Sequence, residues 1–378
     1  MLKKIILLGA TGSIGNSALR LLRKNKNLYH LIGVSAHNNA KLLSEIVNEF
    51  NVPNVVLSDC KNVNEYYGIH QLKVGSLELK NLAKLDCDIV ISGITGLSGL
   101  YPAYEAISSG NDLAIANKEP LVAAGQIFMN KAKQTGAKIL PVDSEHSAIF
   151  QCIQNNDNLD FITLTASGGP FLNYDIDSLD NVTPQMALNH PVWDMGDKIS
   201  IDSATMFNKA LEIIEASVLF DLTFEKIDVI IHPQSIIHGL VHYKDGSILA
   251  NLAYPDMITP LSVALSWPDR VDLNLKKIKL TDIGNLTFIE PDYKKFPALN
   301  LGWEVLKNNK LSPIVLNAAN EIAVKLFLKN KIKFTTIFKL VSEIIDIYQP
   351  SDASTIDEVI YIDNIARLKS IDYFNRKL

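Results

Sequence analysis

The fold is decided by a glycine-rich stretch near the start of the 378-residue chain, Ile5-Ile6-Leu7-Leu8-Gly9-Ala10-Thr11-Gly12-Ser13-Ile14-Gly15. An apolar run predicts a strand over residues 4–8, and the glycines follow it directly and open a predicted helix over 14–24. Glycines in this context allow a tight turn and a close approach of backbone to a pyrophosphate, which the start of the helix attracts. The spacing therefore favours a dinucleotide-binding loop over a plain turn.

Strand-like runs alternate with helix-like segments from the start of the chain to residue 142. The predicted strands are 4–8, 29–35, 55–57, 89–92, 112–116 and 138–142, and helices are predicted between them, for example at 14–24 and 39–50. Such alternation is typical of βαβ units and a mostly parallel sheet. The sequence therefore predicts an α/β protein whose residues 1–142 form a Rossmann-type nucleotide-binding domain.

The remaining chain is predicted to form two further parts. Residues 143–266 are expected to be an α+β catalytic domain, with strands at 161–166, 228–232, 236–243 and 247–252. A polar linker with some strand is expected over 267–296. Residues 297–378 read as a helical bundle, in which Ser312-Pro313 has the pattern of a helix N-cap followed by proline at the first position.

The composition argues against binding to nucleic acid or to an anionic membrane. Apolar residues make up 47% and charged residues 20%, and the net charge of −5 gives no basic footprint for nucleic acid or an anionic membrane. The three cysteines, Cys60, Cys87 and Cys152, have no metal-ligand spacing and are expected to be small buried residues in a reducing compartment. Lys3-Lys4 and the following apolar run resemble the start of a signal peptide but stop at Gly9. We expect a cytoplasmic protein that binds neither nucleic acid nor membrane.

Three carboxylates suggest a metal site. Asp143 and Glu145 stand two apart after an apolar run, so in an extended segment both face one side. Glu212 lies one helical turn beyond Asn208 and Lys209. An all-oxygen set of this kind suits Mg²⁺ or Mn²⁺. The alternative is a solvated loop and the exposed side of a surface helix.

The end of the second predicted strand, His37-Asn38-Asn39, bears on the cofactor. No Asp or Glu stands there to accept a hydrogen bond from a ribose 2′-hydroxyl, as an NAD enzyme would have. The absence favours NADP. A positive partner for the 2′-phosphate is less clear, because only His37 and two amides are available.

Two segments suggest a phosphorylated substrate. Thr165-Ala166-Ser167-Gly168-Gly169-Pro170 can direct a hydroxyl and backbone N–H groups at an anion. Asp202-Ser203-Ala204-Thr205 has the pattern of a helix N-terminus, a second anion site, with Lys209 further along the same predicted helix. Ordinary helix capping is the alternative for Asp202 and Ser203.

A loop bounded by proline and glycine, His190-Pro191-Val192-Trp193-Asp194-Met195-Gly196, has the character of a lid that buries apolar groups over a ligand. We call residues 190–197 the flap. Trp193 is equally interpretable as a core residue. Of the histidines near the second set of strands, only His238 is a candidate for substrate binding.

The order of these blocks resembles one enzyme family. GATGSIG, ANKE, PVDSEH, ASGGPF, HPVWDMG, KISIDSATMFNKALE and IHPQSIIHG, followed by Asn317-Ala318-Ala319-Asn320-Glu321, occur as they do in the 1-deoxy-D-xylulose 5-phosphate reductoisomerases. The resemblance covers nearly the whole chain. It implies NADPH- and metal-dependent isomerisation and reduction of 1-deoxy-D-xylulose 5-phosphate to 2-C-methyl-D-erythritol 4-phosphate in non-mevalonate isoprenoid biosynthesis, by a homodimer.

The resemblance also implies roles for individual residues. The metal ligands for Mg²⁺, Mn²⁺ or Co²⁺ would be Asp143, Glu145 and Glu212, and the catalytic residues Lys118, Glu145 and Glu212. Substrate contacts would come from Lys118, Ser144, Glu145, Ser167, His190, Trp193, Met195, Ser203, Asn208, Lys209, Glu212 and His238. Cofactor contacts would come from Thr11, Gly12, Ser13, Ile14, His37, Asn38, Asn39, Asn117, Glu119 and Gly196.

Two departures from the family pattern stand out. His37-Asn38-Asn39 replaces the usual Gly-Lys-Asn type of sequence, which predicts weaker discrimination against NADH. Ala210 replaces the usual glycine before Leu-Glu, a helix-favouring change. The competing hypotheses are another NADP-dependent reductase of a phosphorylated metabolite, which would want a reactive cysteine, and a non-catalytic dinucleotide sensor, which would not need the three carboxylates.

Overall fold

The computed structural model describes residues 2–154, 156–193, 195–308 and 310–377. The chain divides into two compact units. The first comprises Met1–Pro120, Phe128–Ser147 and Asp256–Lys276, and the second Leu121–Ile127, Ala148–Pro255 and Lys277–Leu378. Each unit has its own sheet.

The first sheet has seven strands: β1 (Lys3–Leu8), β2 (Tyr29–Ala36), β3 (Asn54–Leu57), β4 (Leu72–Val74), β5 (Ile89–Ser92), β6 (Asp112–Ile115) and β7 (Ile139–Pro141). Their spatial order is β4-β3-β2-β1-β5-β6-β7, and every adjacent pair is parallel. The central strands are almost entirely apolar and buried, as expected for a sheet covered on both faces. The predicted parallel sheet is confirmed, and sequence analysis missed only the three-residue strand β4.

Helices α1 (Ser13–Lys24), α2 (Ala40–Phe50), α3 (Ser76–Ala83), α4 (Leu100–Ser108), α5 (Glu119–Thr135) and α6 (Ser144–Cys152) follow β1, β2, β4, β5, β6 and β7, respectively. The strand order reverses at β1, because the chain runs outward through β2 to one edge and then through β5 to the other. Ligands of open α/β sheets bind beyond the carboxyl ends of the strands at such a reversal. The glycine-rich stretch leaves the sheet at this point.

The second sheet has four strands, β8 (Leu159–Ala166), β9 (Ile227–Ile231), β10 (Ile237–Tyr243) and β11 (Ile248–Leu252), in the order β11-β10-β8-β9. Only the β8–β9 pair is parallel. Between β8 and β9 lie α7 (Pro184–Leu188), α8 (Asp197–Thr205) and α9 (Phe207–Phe220). The predicted strands of this region are confirmed.

The C-terminal part is helical as predicted: after α10 (Ile258–Ser266) and α11 (Leu280–Ile283) come α12 (Ala298–Lys307), α13 (Pro313–Leu328), α14 (Phe334–Ile347) and α15 (Ile356–Lys377). Helix α13 starts with Pro313 after Ser312, in the predicted position. It packs against α14 and α15, and α12 packs against α9. Between 267 and 296 the expected strand is limited to one bridge, Ile231 to Ile289. None of the helices among the described residues has the length and apolar character to cross a membrane.

Candidate active site

Backbone geometry holds the glycine-rich stretch in place. Gly9 has a φ of +81°, and a Cβ atom there would lie 2.7 Å from the carbonyl oxygen of Gly93. A Cβ atom on Gly15 would lie 2.3 Å from the carbonyl oxygen of Ala10. Gly12 is the N-cap of α1 and supplies no side chain to the first N–H groups of the helix. The stretch is therefore packed as a dinucleotide-binding loop is, with the helix start open to an anion.

The segment after β2 makes hydrogen bonds of its own. The His37 Nδ1 lies 3.0 Å from the Ser58 Oγ, and the Asn38 carbonyl accepts from the Asn62 Nδ2 at 2.9 Å. The Asn39 side chain accepts from the Leu42 N–H and so caps α2. Of the three predicted cofactor residues here, Asn39 thus also has a structural role.

The Asn117-Lys118-Glu119 segment follows β6 and is buried, with 8%, 4% and 5% of the residues exposed. The Asn117 Oδ1 accepts a hydrogen bond from the Ser92 hydroxyl at the end of β5, at 2.9 Å. The segment therefore links the ends of two adjacent strands. Glu119 begins helix α5, where the helix dipole favours a negative charge.

The acid pair Asp143 and Glu145 lies where β7 passes into α6. The extended arrangement assumed in sequence analysis is wrong, because α6 begins at Ser144 and Glu145 lies in its first turn. The Asp143 carboxylate accepts from the Ser144 N–H at 3.0 Å and contacts the Lys118 ammonium. The Ser144 hydroxyl donates to the Glu145 carboxylate at 2.5 Å. A helix start and a hydroxyl, rather than strand alternation, orient these two carboxylates.

These residues form what we call the first-unit group: the glycine-rich stretch, His37 to Asn39, Asn117 to Glu119 and Asp143 to Glu145. All belong to the first unit, and all follow the carboxyl ends of parallel strands. The sequence-predicted residues Thr11, Ser13 and Ile14 lie in the same stretch as Gly9.

In the second unit, Glu212 is fixed on α9 by its neighbours. The Asn208 amide and the Lys209 ammonium both donate to its carboxylate, which confirms the predicted shared face. Lys209 also donates to the Thr165 carbonyl oxygen at 2.6 Å. Glu212 is 0% and Lys209 3% exposed, so the alternative of an exposed surface helix is wrong. A buried carboxylate is stable only beside such partners.

The hydrogen bonds of His190 fix its tautomer. Its Nδ1 accepts from the backbone N–H groups of Trp193 at 2.9 Å and Val192 at 3.2 Å. The ring is therefore neutral with the proton on Nε2, which donates to the Ser167 Oγ at 3.0 Å. Burial lowers the pKa of His190 below its ordinary value and supports this neutral form.

The Ser167 hydroxyl consequently has one hydrogen-bonding role left, that of a donor. It accepts from His190 and from the Gly169 N–H at 3.2 Å. Since both bonds use its oxygen, the hydroxyl hydrogen can donate to a further acceptor. A Cβ on Gly169 would lie 3.0 Å from the Ser203 carbonyl oxygen, so the segment after β8 lies directly against α8. Two predicted anion-binding segments are thus adjacent.

The predicted helix start at Asp202 is wrong. Helix α8 begins at Asp197, and residues 202–205 form its last turn before Met206, with a φ of 64°, separates it from α9. Asp202 is 1% exposed and accepts from the Lys198 ammonium at 2.8 Å and from the Asn320 amide of α13 at 2.7 Å. Sequence analysis missed both partners: Asn320 because a contact over 118 residues leaves no local pattern, and Lys198 because Asp202 was expected at a helix start rather than four residues after Lys198 on the same helix.

The flap runs from His190 to the first residue of α8, Asp197. The Trp193 and His238 ring centroids are 6.0 Å apart, and the His238 Nε2 donates to the Ala253 carbonyl oxygen at 3.2 Å. Trp193 and Met195 are partly exposed, and Gly196 is the N-cap of α8. Asp194 lies outside the described residues. What we call the second-unit group consists of His190, Trp193, Met195, Gly196 and His238, together with Ser167, Ser203, Asn208, Lys209 and Glu212.

Comparisons with known proteins show which family the chain resembles. Family models described as 1-deoxy-D-xylulose 5-phosphate reductoisomerase, its C-terminal domain and the DXP reductoisomerase C-terminal domain match residues 5–125, 139–220 and 252–369. The 1-deoxy-D-xylulose 5-phosphate reductoisomerase of Clostridium perfringens strain 13 is 44% identical, over 99% of this chain and 100% of the relative.

Solved structures extend the likeness to three dimensions. The reductoisomerase of Zymomonas mobilis, in complex with NADPH, is 40% identical with a TM-score of 0.94, and the match covers 100% of both chains. A DOX-P reductoisomerase in complex with NADPH, fosmidomycin and magnesium is 35% identical with a TM-score of 0.92, over 99% of this chain and 98% of that one. The chain belongs to the 1-deoxy-D-xylulose 5-phosphate reductoisomerase family.

Proposed function

We propose that the chain converts 1-deoxy-D-xylulose 5-phosphate to 2-C-methyl-D-erythritol 4-phosphate, and that residues of the first-unit group and residues of the second-unit group each take part in this reaction. The reaction uses NADPH and a divalent metal and belongs to non-mevalonate isoprenoid biosynthesis. The observation that carries the residue assignment is the burial of Glu212 between Asn208 and Lys209. A dinucleotide sensor or a cysteine-dependent reductase gains nothing from this arrangement.

Asp143, Glu145 and Glu212 are the proposed metal ligands. All three offer carboxylate oxygens, which suit Mg²⁺, Mn²⁺ or Co²⁺. The side chains of Asp143 and Glu212 are only 13% and 0% exposed, and each contacts a buried lysine that offsets its charge. The metal would supply Lewis acidity to the substrate oxygens, as a magnesium ion accompanies a related enzyme.

The substrate phosphate is proposed to lie at Ser167, Ser203, Asn208 and Lys209, with His190 behind Ser167. Ser167 contributes its remaining hydroxyl hydrogen, since His190 and Gly169 already donate to its oxygen. Because His190 also accepts from the Trp193 N–H, the phosphate subsite and the flap share one side chain. Phosphate binding can therefore favour closure of Trp193 and Met195 over the substrate, against His238.

The rest of the substrate is proposed to contact Lys118, Ser144 and Glu145. The Lys118 ammonium holds its protons against the Asp143 carboxylate, and the Ser144 hydroxyl fixes the Glu145 carboxylate. Lys118 and Glu145 are therefore the candidate groups for proton transfer during the carbon–carbon rearrangement. These neighbours hold a proton donor, the Lys118 ammonium, and a proton acceptor, the Glu145 carboxylate, at defined positions.

The cofactor residues are proposed to be Thr11, Gly12, Ser13, Ile14, His37, Asn38, Asn39, Asn117, Glu119 and Gly196. NADPH would supply the hydride for the reduction, as expected from the related enzyme solved with NADPH. The uncapped start of α1 fits the pyrophosphate, and the close contact of Gly9 with Gly93 leaves the loop little freedom to move away.

The test is NADPH oxidation by the purified protein with 1-deoxy-D-xylulose 5-phosphate, with and without Mn²⁺ or Mg²⁺. Oxidation is expected only with metal and is expected to be lost in Glu212→Gln, while Glu225→Gln, the same change at an exposed position, leaves it intact. An active Glu212→Gln enzyme would remove Glu212 from the metal site. No turnover with either metal, despite NADPH binding, would favour another reductase or a sensor.

An inhibitor gives an independent check of the ligand set. Fosmidomycin is bound together with magnesium in a related enzyme, and we expect it to chelate the metal here. Glu145→Gln should therefore weaken fosmidomycin inhibition. Unchanged potency would contradict the assignment of Glu145 as a ligand.

The proposal also covers the domain limits, the cellular location and the oligomeric state. The domain limits 1–142, 143–266, 267–296 and 297–378 are proposed functional divisions, and a cytoplasmic location follows from the family resemblance. A homodimer is supported by the edge strand β11, where Ile248 and Leu252 are 53% and 38% exposed, since an apolar strand edge favours pairing. Sedimentation velocity would test it, and a monomer at micromolar concentration would exclude it.

A further inference from the structure

Strands β2 and β3 end side by side, which brings together residues that the sequence separates. Ala36 pairs with Leu57 at the ends of these parallel strands. The next residues stay paired, because the Asp59 N–H donates to the His37 carbonyl oxygen at 2.9 Å. The His37 Nδ1 lies 3.0 Å from the Ser58 Oγ. Two loops thus form one surface beyond the sheet.

Asp59 lies close to two basic side chains at this surface. Its Oδ2 lies 3.7 Å from the Lys61 Nζ and 3.8 Å from the His37 Nε2, and its Oδ1 accepts from the Lys61 N–H at 3.2 Å. The Asp59 side chain is only 19% exposed, whereas those of Lys61 and His37 are 78% and 73% exposed. The acid therefore lies underneath and the two basic side chains reach into solvent.

We infer that Lys61, together with His37 and Ser58, forms the subsite for the 2′-phosphate of the dinucleotide. In sheets of this type the adenosine ribose lies beyond the end of the second strand, where NADP requires a positive partner. The sequence after β2 offers only His37, and Lys61 supplies the missing permanent charge from the loop after β3. The inference rests on the proposed NADPH site.

Asp59 has two opposing effects on this subsite. It positions Lys61 and His37, and its own negative charge repels a phosphate. Lys61 offsets that charge, so removing Lys61 both deletes a phosphate partner and leaves the repulsion. Neither effect acts on NADH, which has a neutral 2′-hydroxyl at that position.

The experiment measures dissociation constants of NADPH and NADH by their fluorescence enhancement, on the full-length protein without substrate or metal. Lys61→Gln is expected to weaken NADPH binding about tenfold and to leave NADH binding unchanged. Asp59→Asn is expected to strengthen NADPH binding about threefold. The matched control is Lys84→Gln, which removes a lysine paired with Glu105 at 3.2 Å elsewhere on the first unit.

The possible results distinguish a failure of the Lys61 subsite from a failure of the whole cofactor site. An equal loss of NADPH and NADH affinity in Lys61→Gln, or no loss of either, overturns the Lys61 subsite. The same NADPH loss in Lys84→Gln overturns it as well, because the effect would then be one of net charge. A wild-type protein that binds neither dinucleotide overturns both the subsite and the proposed cofactor site.

Discussion

The first-unit group and the second-unit group are held in place by different means. In the first-unit group, backbone atoms do most of the positioning: a Cβ atom on Gly9 or Gly15 would collide with the backbone of Gly93 or Ala10, and the functional residues follow strand ends. In the second-unit group, side chains position one another, as His190 does for Ser167 and Lys209 for Glu212. The first arrangement depends on the space around backbone atoms, and the second depends on polar contacts between side chains.

This difference predicts different responses to mutation. A backbone-defined loop fails when a side chain is added, because the backbone has no room to move. A side-chain network fails when a partner is removed, because a buried polar group is then left without its hydrogen bond. Three substitutions and one change of pH test these two ways of holding residues in place, from the largest expected effect to the smallest.

Lys209→Met tests the second-unit group most severely. It removes the buried ammonium beside Glu212 and the donor to the Thr165 carbonyl oxygen. We expect a loss of about 3–5 kcal/mol in the free energy of unfolding, as when one partner of a buried ion pair is removed. Urea denaturation measures it. The control is Lys295→Met, whose ammonium donates to the Leu172 carbonyl oxygen and has no carboxylate partner among the described residues, and an equal cost there would contradict the comparison.

Gly15→Ala tests the first-unit group. A Cβ atom at this position would lie 2.3 Å from the Ala10 carbonyl oxygen, so the loop must shift. We expect about 1–3 kcal/mol of destabilisation, typical of overpacking. Gly12→Ala is the matched variant, because its Cβ would meet only the Gly9 oxygen at 3.5 Å. It should keep its stability and lose NADPH affinity by crowding the pyrophosphate, and equal thermal melting of the two variants would contradict this account.

Asn320→Ala tests whether α13 positions the last turn of α8. Loss of the 2.7 Å hydrogen bond to Asp202 is expected to cost about 1–2 kcal/mol and to raise the KM for the phosphorylated substrate more than it lowers kcat. Asn317→Ala is the control, since Asn317 is equally buried on α13 but donates to Glu321 of its own helix at 3.3 Å. If both variants raise KM equally, Asn320 has no specific role in positioning the last turn of α8.

The smallest effect concerns pH. Burial lowers the pKa of His190, so its contribution to stability is fully present above its ordinary pKa of 6.5 and is lost as the pH falls through the folded-state pKa. Protonation would also put a hydrogen on Nδ1, which now accepts from Trp193. We expect substrate KM to rise on acidification below pH 6.5, by less than about tenfold.

His190→Asn supplies the comparison for this pH effect. Asparagine retains an acceptor and a donor but does not titrate, so only the part of the pH dependence that belongs to the substrate phosphate should remain. Identical pH profiles of KM for the wild type and His190→Asn would show that His190 does not couple the flap to Ser167.

Sequence analysis succeeded where the pattern is local. The parallel sheet, the helical C-terminal part and the face shared by Asn208, Lys209 and Glu212 all follow from short-range periodicity. It failed in two places with an identifiable cause. Asp143 and Glu145 were placed on a strand, although the chain turns into α6 at Ser144, and Asp202 was placed at a helix start, although α8 begins five residues earlier.

The sequence by itself determined the order of elements, the glycine-rich turn and the residue types of the site, because apolar periodicity and glycine act over a few neighbouring residues. Only the tertiary structure decided that Asn320 holds Asp202, that His190 is neutral against Ser167, and that Lys61 stands beside His37. These contacts join segments from different strands and helices. Their hydrogen bonds and charges act through space, and residues far apart in the chain become neighbours only once the sheets and helices have packed.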